Sequence, residues 1–79
     1  MKKMCLVNYY GMIAEAIGKD SETLELEISE QTDARTLFVS LYSQLAHLPF
    51  QVAIDTEIVE RFDSRNFSSI SLLPPFSGG

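Results

Sequence analysis

The stretch from Thr32 to Ala46 carries a long apolar stripe at helical spacing, and that stripe dictates what the rest of the chain must build. Ala34, Leu37, Phe38, Leu41, Tyr42 and Leu45 recur at i, i+3 and i+4, which makes one side of a helix of about three to four turns apolar. Thr32 is placed to cap its amino end, and Asp33 falls in the first turn, where a negative charge complements the helix dipole. The helix ends near His47, before Pro49. Its stripe has to be buried, and the surface it covers is a sheet.

The flanking segments supply that sheet. Met4 to Tyr10 reads as a strand, its nearly continuous apolar character suggesting a central position covered on one face and partly on the other. A short helical piece follows from Met12 to Ile17, with Met12, Ile13, Ala16 and Ile17 at helical spacing and Gly18 closing it. Glu22 to Ser29 alternates: Leu24, Leu26 and Ile28 point one way, and Thr23, Glu25 and Glu27 the other. Phe50 to Asp55 and Ile58 to Phe62 form a hairpin around Asp55-Thr56-Glu57, and Ile70 to Leu73 is the last strand. Asp63 to Ser69 is loop-like, with Phe67 available to plug the core. One main helix lying on a mixed sheet of four or five strands is an α+β arrangement, the β-grasp. If the first and last strands pair in parallel, the chain leaves from the centre of the sheet, at the end opposite the amino terminus. Periodicity does not decide that pairing.

At 79 residues the chain forms a single domain, with a β-grasp body over 1–73 and a flexible tail over 74–79. A body this small buries a little over about 60% of its unfolded surface, which leaves no volume for a deep catalytic cleft. The net charge of −5, with Asp20, Glu22, Glu25, Glu27, Glu30 and Asp33 in one short stretch, argues against nucleic acid and against anionic membranes. That run reads as a solvated sheet edge, or as a steering field for a basic partner. Cys5 is the single cysteine and is flanked by Met4, Leu6 and Val7, so a buried thiol in a reducing compartment is expected. Behind Lys2 and Lys3 the apolar stretch is too short for a signal peptide or a membrane span, and the expected location is cytoplasmic.

No side-chain constellation for catalysis assembles. One histidine and one cysteine make no zinc-ligand pattern, and no metal is expected. His47 suits the helix carboxyl end as a cap. Gly11 and Gly18 are isolated, so no phosphate-binding loop exists, and no base lies near Ser64, Ser68, Ser69, Ser71 or Ser77 to activate them. The remaining reactive group is the α-carboxylate of Gly79. Leu72-Leu73-Pro74-Pro75-Phe76-Ser77-Gly78-Gly79 couples a strand end to two prolines, one aromatic and two residues without side chains. The prolines bias the chain to extended geometry, and 74–79 reaches up to about 20 Å at full stretch. Gly78 and Gly79 fit a channel that any β-carbon would block. A carboxylate becomes electrophilic once it is activated, for instance as an acyl-adenylate, and a partner must bring the nucleotide site.

This ending resembles that of the ubiquitin-like sulfur carriers, in particular their molybdopterin-synthase branch, whose signature is two large apolar residues, Pro-Pro, an apolar residue, a small residue and Gly-Gly. The resemblance spans nearly the whole chain, including Leu6-Val7-Asn8-Tyr9-Tyr10, Ala14-Glu15-Ala16-Ile17-Gly18 and the helix at 32–46. It implies a carrier without a catalytic side chain of its own and with no bound cofactor. An E1-like adenylyltransferase would use ATP to activate Gly79, sulfur would replace an oxygen to give a thiocarboxylate, and Gly78, Ser77, Phe76 and Pro75 would insert into the large synthase subunit. The terminal sulfur would then build the dithiolene of molybdopterin. By position, Tyr10, Ile58 and Leu73 match the family's apolar docking patch, and core packing is the competing role for all three. The chain departs from the family at Asn66-Phe67-Ser68-Ser69-Ile70 and at Ile54-Asp55, which puts loop geometry in question and leaves the tail untouched. Three alternatives stay open: a carrier for thiamin or another sulfur pathway, a ubiquitin-like modifier conjugated through Gly79, and an interaction module with an inert tail.

Overall fold

The computed structural model describes residues 2–29, 32–55, 57–62, 67 and 69–75. Along the chain lie β1 (Lys2–Tyr9), α1 (Gly11–Ile17), β2 (Ser21–Glu27), α2 (Ala34–Leu41), a short 3-10 helix (Ser43–His47), β3 (Gln51–Ile54), β4 (Glu57–Val59) and β5 (Ser69–Leu73). The strands form one sheet in the order β2-β1-β5-β3-β4. β1 and β5 pair in parallel, from Leu6 opposite Ser69 to Tyr9 opposite Leu72, and the other neighbours are antiparallel. The arrangement is a β-grasp, with β5 in the middle of the sheet and its carboxyl end at the end opposite the amino terminus.

Strand alternation separates the two faces. Cys5, Val7 and Tyr9 of β1, Leu26 of β2, Ile70 and Leu72 of β5, and Val52 and Ile54 of β3 are buried, together with Ile13, Ala34, Phe38 and Leu45 from the helical layer. Burial pushes the Cys5 thiol above its ordinary pKa, only partly offset by the Lys3 charge, as suits a structural thiol. Phe67 does enter the core: it is buried and stacks on Phe62 with ring centroids 5.8 Å apart. The opposite face of β1 is left largely open by the described residues, and Met4 (61% exposed) and Leu6 (44%) stand on it. Among the described residues the cover there is only partial, with Asn8 half-buried, because both helices pack on the other side.

The main helix is shorter than its stripe predicts. Asp33, not Thr32, is the cap: its carboxylate accepts the Thr36 N–H at 2.9 Å, and this bond leads the causes that lower its pKa. Thr32 Oγ1 instead accepts the Ser29 N–H at 2.9 Å. At the other end, the Ser40 hydroxyl donates to the Leu37 carbonyl at 2.7 Å, a back-bond that weakens the last turn. Tyr42 then turns extended, with φ −133° and ψ 94°. Leu45 returns to the core from the 3-10 helix, whereas Leu41, at the break, is left 46% exposed. Met12 is also exposed, because Ile13 occupies the inward position of the short α1. β4 ends at Val59, earlier than expected, because the chain turns from the sheet toward the helix entry: Ala34 N–H reaches Glu60 O at 2.9 Å and Phe62 N–H reaches Thr32 O at 3.0 Å.

Arg35 does much of the carboxyl-end capping that the sequence suggested for His47. Its Nη1 donates to Leu48 O at 3.0 Å, its Nη2 lies 3.4 Å from both Leu45 O and Ala46 O, and its guanidinium sits 4.4 Å from the Phe50 ring centroid. His47 is in the last turn of the 3-10 helix and exposed. Arg35→Lys is expected to cost about 1 kcal/mol in urea unfolding, because an ammonium cannot reproduce a planar fork that meets several carbonyls and stacks on a ring. A midpoint equal to that of the wild type would count against this clasp.

Candidate functional site: the base of the C-terminal tail

The carboxyl end of β5 is where the tail departs. Ser69, Ser71 and Leu73 face away from the helices and are half-buried, and Ile70 and Leu72 face the core. Tyr10 N–H donates to Leu72 O at 3.2 Å, one bond beyond the last paired residue of β1. The proline ring removes the N–H at position 74, so the ladder ends there. Pro74 is half-buried and Pro75 is exposed.

Two of the three proposed docking residues come together. Tyr10 continues β1 on the open face beside Leu73; it is 47% exposed and Leu73 is half-buried. Ile58, also 47% exposed, shares that face but pairs with Ala53, which in turn pairs with Ser71. It therefore lies two strands from β5, about 10 Å to the side. Exposure of Tyr10 and Ile58 removes core packing as their role. Pro75 lies just outside the body, whereas Phe76, Ser77, Gly78 and Gly79 fall outside the described residues.

The open concavity beside this exit, about 500 Å³, is lined by residues that include Asn8, Tyr10, Gly11, Glu15 and Asp20, with neither histidine nor cysteine among them. Among the described residues no group of three His, Cys, Asp or Glu side chains is placed to hold a metal ion, and no helix is long and apolar enough to cross a membrane.

A cluster that sequence reading missed lies on the helix side. Glu22 Oε2 accepts from the Tyr9 hydroxyl at 2.5 Å and from the Tyr42 hydroxyl, and Oε1 meets Lys19 Nζ at 3.1 Å. The tyrosine rings pack edge to face, with centroids 6.3 Å apart. The signal was present in the parity: Glu22 shares its strand face with Leu24 and Leu26, so it points inward, unlike Glu25 and Glu27.

The chain is 28% identical to a molybdopterin synthase sulfur carrier subunit from Caenorhabditis briggsae, over 92% of this chain and 94% of that protein. The family resemblance read from the sequence thus agrees with the name of a relative. The crystal structure of SAMP1 from Haloferax volcanii superposes with a TM-score of 0.66 at 15% identity, over 98% of this chain and 100% of that one. At that identity the likeness establishes the shared β-grasp fold. No family model matches the chain.

Proposed function

We propose that this protein is a sulfur carrier that serves as the small subunit of a molybdopterin synthase, with the α-carboxylate of Gly79 as its covalent site. The observation that carries the reading is the placement of the tail: Pro74-Pro75 leaves the central strand beside exposed Tyr10 and half-buried Leu73, and the sequence beyond runs Phe-Ser-Gly-Gly. Similarity to a carrier subunit supports it.

The chemistry is that of an activated acyl group. The Gly79 carboxylate attacks the α-phosphorus of ATP in the site of an E1-like partner, and pyrophosphate leaves. Sulfide-level sulfur from a donor then attacks the acyl carbon, the bond from that carbon to the adenylate oxygen breaks, AMP leaves and a thiocarboxylate remains. The charged tail inserts into the large synthase subunit, where the sulfur passes to the pterin precursor. This chain contributes a docking face and a slim terminus, and no catalytic side chain. A cytoplasmic, reducing location belongs to the same reading, since a thiocarboxylate is easily oxidised.

Intact-mass measurement of the protein recovered from cells with its native carboxyl end tests the proposal. The expected species carries the mass difference of one sulfur for one oxygen, localised to Gly79 by fragmentation. An isopeptide remnant on lysines of other proteins, without any sulfur-exchanged species, would favour a protein modifier instead.

A further inference from the structure

Gly11 occupies the point where β1 ends, α1 begins and the tail leaves, and two observations make it more than a strand terminator. Its φ is +57°, in the left-handed region that disfavours side chains. Independently, a β-carbon added there would stand 3.3 Å from Pro74 Cγ and 3.8 Å from Pro74 Cδ. The Pro74 ring therefore lies against the backbone of Gly11. Because Tyr10 N–H holds Leu72 O just upstream, the chain entering this contact is fixed on one side by a hydrogen bond and on the other by the ring. Pro74 is half-buried and Pro75 exposed, so the direction of departure is set at this contact.

We infer that Gly11 is a positioning residue at the base of the tail: its missing side chain lets Pro74 seat against the start of α1, and that seating sets the direction in which Pro74-Pro75 leaves the sheet. This rests on the proposed carrier function for its consequence, but its geometric half stands alone. A tail aimed elsewhere would still dock through the sheet face while presenting its terminus off line to the activating site. The burden then falls on kcat and not on KM.

The test uses the full chain as wild type, Gly11→Asn, Pro74→Ala and the double variant. Asparagine accepts positive φ better than other residues with a side chain, so the fold is kept while a β-carbon is introduced. The first readout is the set of Cα–Hα residual dipolar couplings at residues 73–75. Gly11→Asn is expected to change them while the couplings of β1, β2 and β3 stay as in the wild type, and to change them much less in the Pro74→Ala background. The second is adenylation by the E1-like partner, where Gly11→Asn should lower kcat by up to about 10²-fold at unchanged KM, as a misplacement on the order of 1 Å does. In the Pro74→Ala background the same substitution should have little effect. Unaltered couplings at Leu73–Pro75 in Gly11→Asn, or equal changes in both backgrounds, would overturn the inference. If the wild type itself is not adenylated, the proposed function fails, and the couplings alone decide the role of Gly11.

Discussion

Removal of Gly79 is expected to abolish thiocarboxylate formation and molybdopterin synthesis while leaving the urea midpoint where it is. The two effects separate because the parts that cause them are separate in the chain. The carboxyl-terminal members of the core are Ile70 and Leu72, both fully buried, and the last structural contact described is Pro74 against Gly11. Shortening the chain by one residue withdraws the reactive carbon by about 3.5 Å, far more than the misplacement on the order of 1 Å that costs about 10²-fold in an aligned reaction. Adding a residue after Gly79 displaces it by the same distance the other way and puts a new side chain or amide where the nucleotide must bind. Both variants should therefore fail in ATP–pyrophosphate exchange and in reconstituted synthase. A truncated chain that still supports molybdopterin formation, or an extended chain that does so without being trimmed, would end the carrier reading.

How much of this was legible in the sequence depends on how local each determinant is. The alternation of β2, the Gly18 stop (φ 90°, accepting the left-handed cap) and the first part of the α2 stripe, Ala34, Leu37 and Phe38, are set by neighbours within a turn or two, and they read correctly. The helix break at Tyr42 did not, because it answers to distant residues: the Tyr42 hydroxyl finds Glu22 and its ring finds Tyr9 only once the sheet is assembled. Likewise the capping role given to His47 passes largely to Arg35, whose reach to Leu48 O crosses the whole helix and its 3-10 extension. The parallel pairing of β1 with β5 carries no signature in either strand alone, yet it decides that the tail leaves from the sheet centre. The tail motif was plain from the start. Its seat on Gly11 was not, since a glycine after a strand looks the same whether it merely turns the chain or admits a proline ring.

Replacing Glu22 by Gln is expected to destabilise the fold at neutral pH by about 1 kcal/mol, and by Ala by about 2 kcal/mol, with a loss that depends on pH. Glu22 joins Tyr9 of β1, Tyr42 beyond α2 and Lys19 before β2, and Tyr9 is only 3% exposed. Alanine leaves the Tyr9 hydroxyl without its acceptor inside the body; glutamine keeps an acceptor but not the charge. Partial burial pushes the Glu22 pKa up, but hydrogen bonds from Tyr42, Tyr9 and Lys19 and the Lys19 charge outweigh it, and the carboxyl ends below its ordinary value of 4.5. A depressed folded pKa contributes stability above the unfolded value, and that stability is lost as pH falls through the folded one. The wild-type advantage over Glu22→Gln should therefore be full at neutral pH, begin to shrink below about pH 4.5, and vanish once the carboxyl is protonated in both states. Alkali acts on the same cluster from the other side. Burial first, and then the Glu22 hydrogen bond and charge, raise the Tyr9 pKa above 10; the Glu22 hydrogen bond leads the rise at Tyr42. For these hydroxyls the stabilisation is complete below the unfolded value and is lost as pH climbs from about 10 toward the raised folded values. Urea titrations of wild type, Glu22→Gln and Tyr42→Phe across the pH range would register both flanks. A Glu22→Gln difference that stays constant from neutral pH down to acid would mean the carboxylate does not bind its two tyrosines as charge-assisted hydrogen bonds, and that Tyr42 turns out of its helix for some other reason.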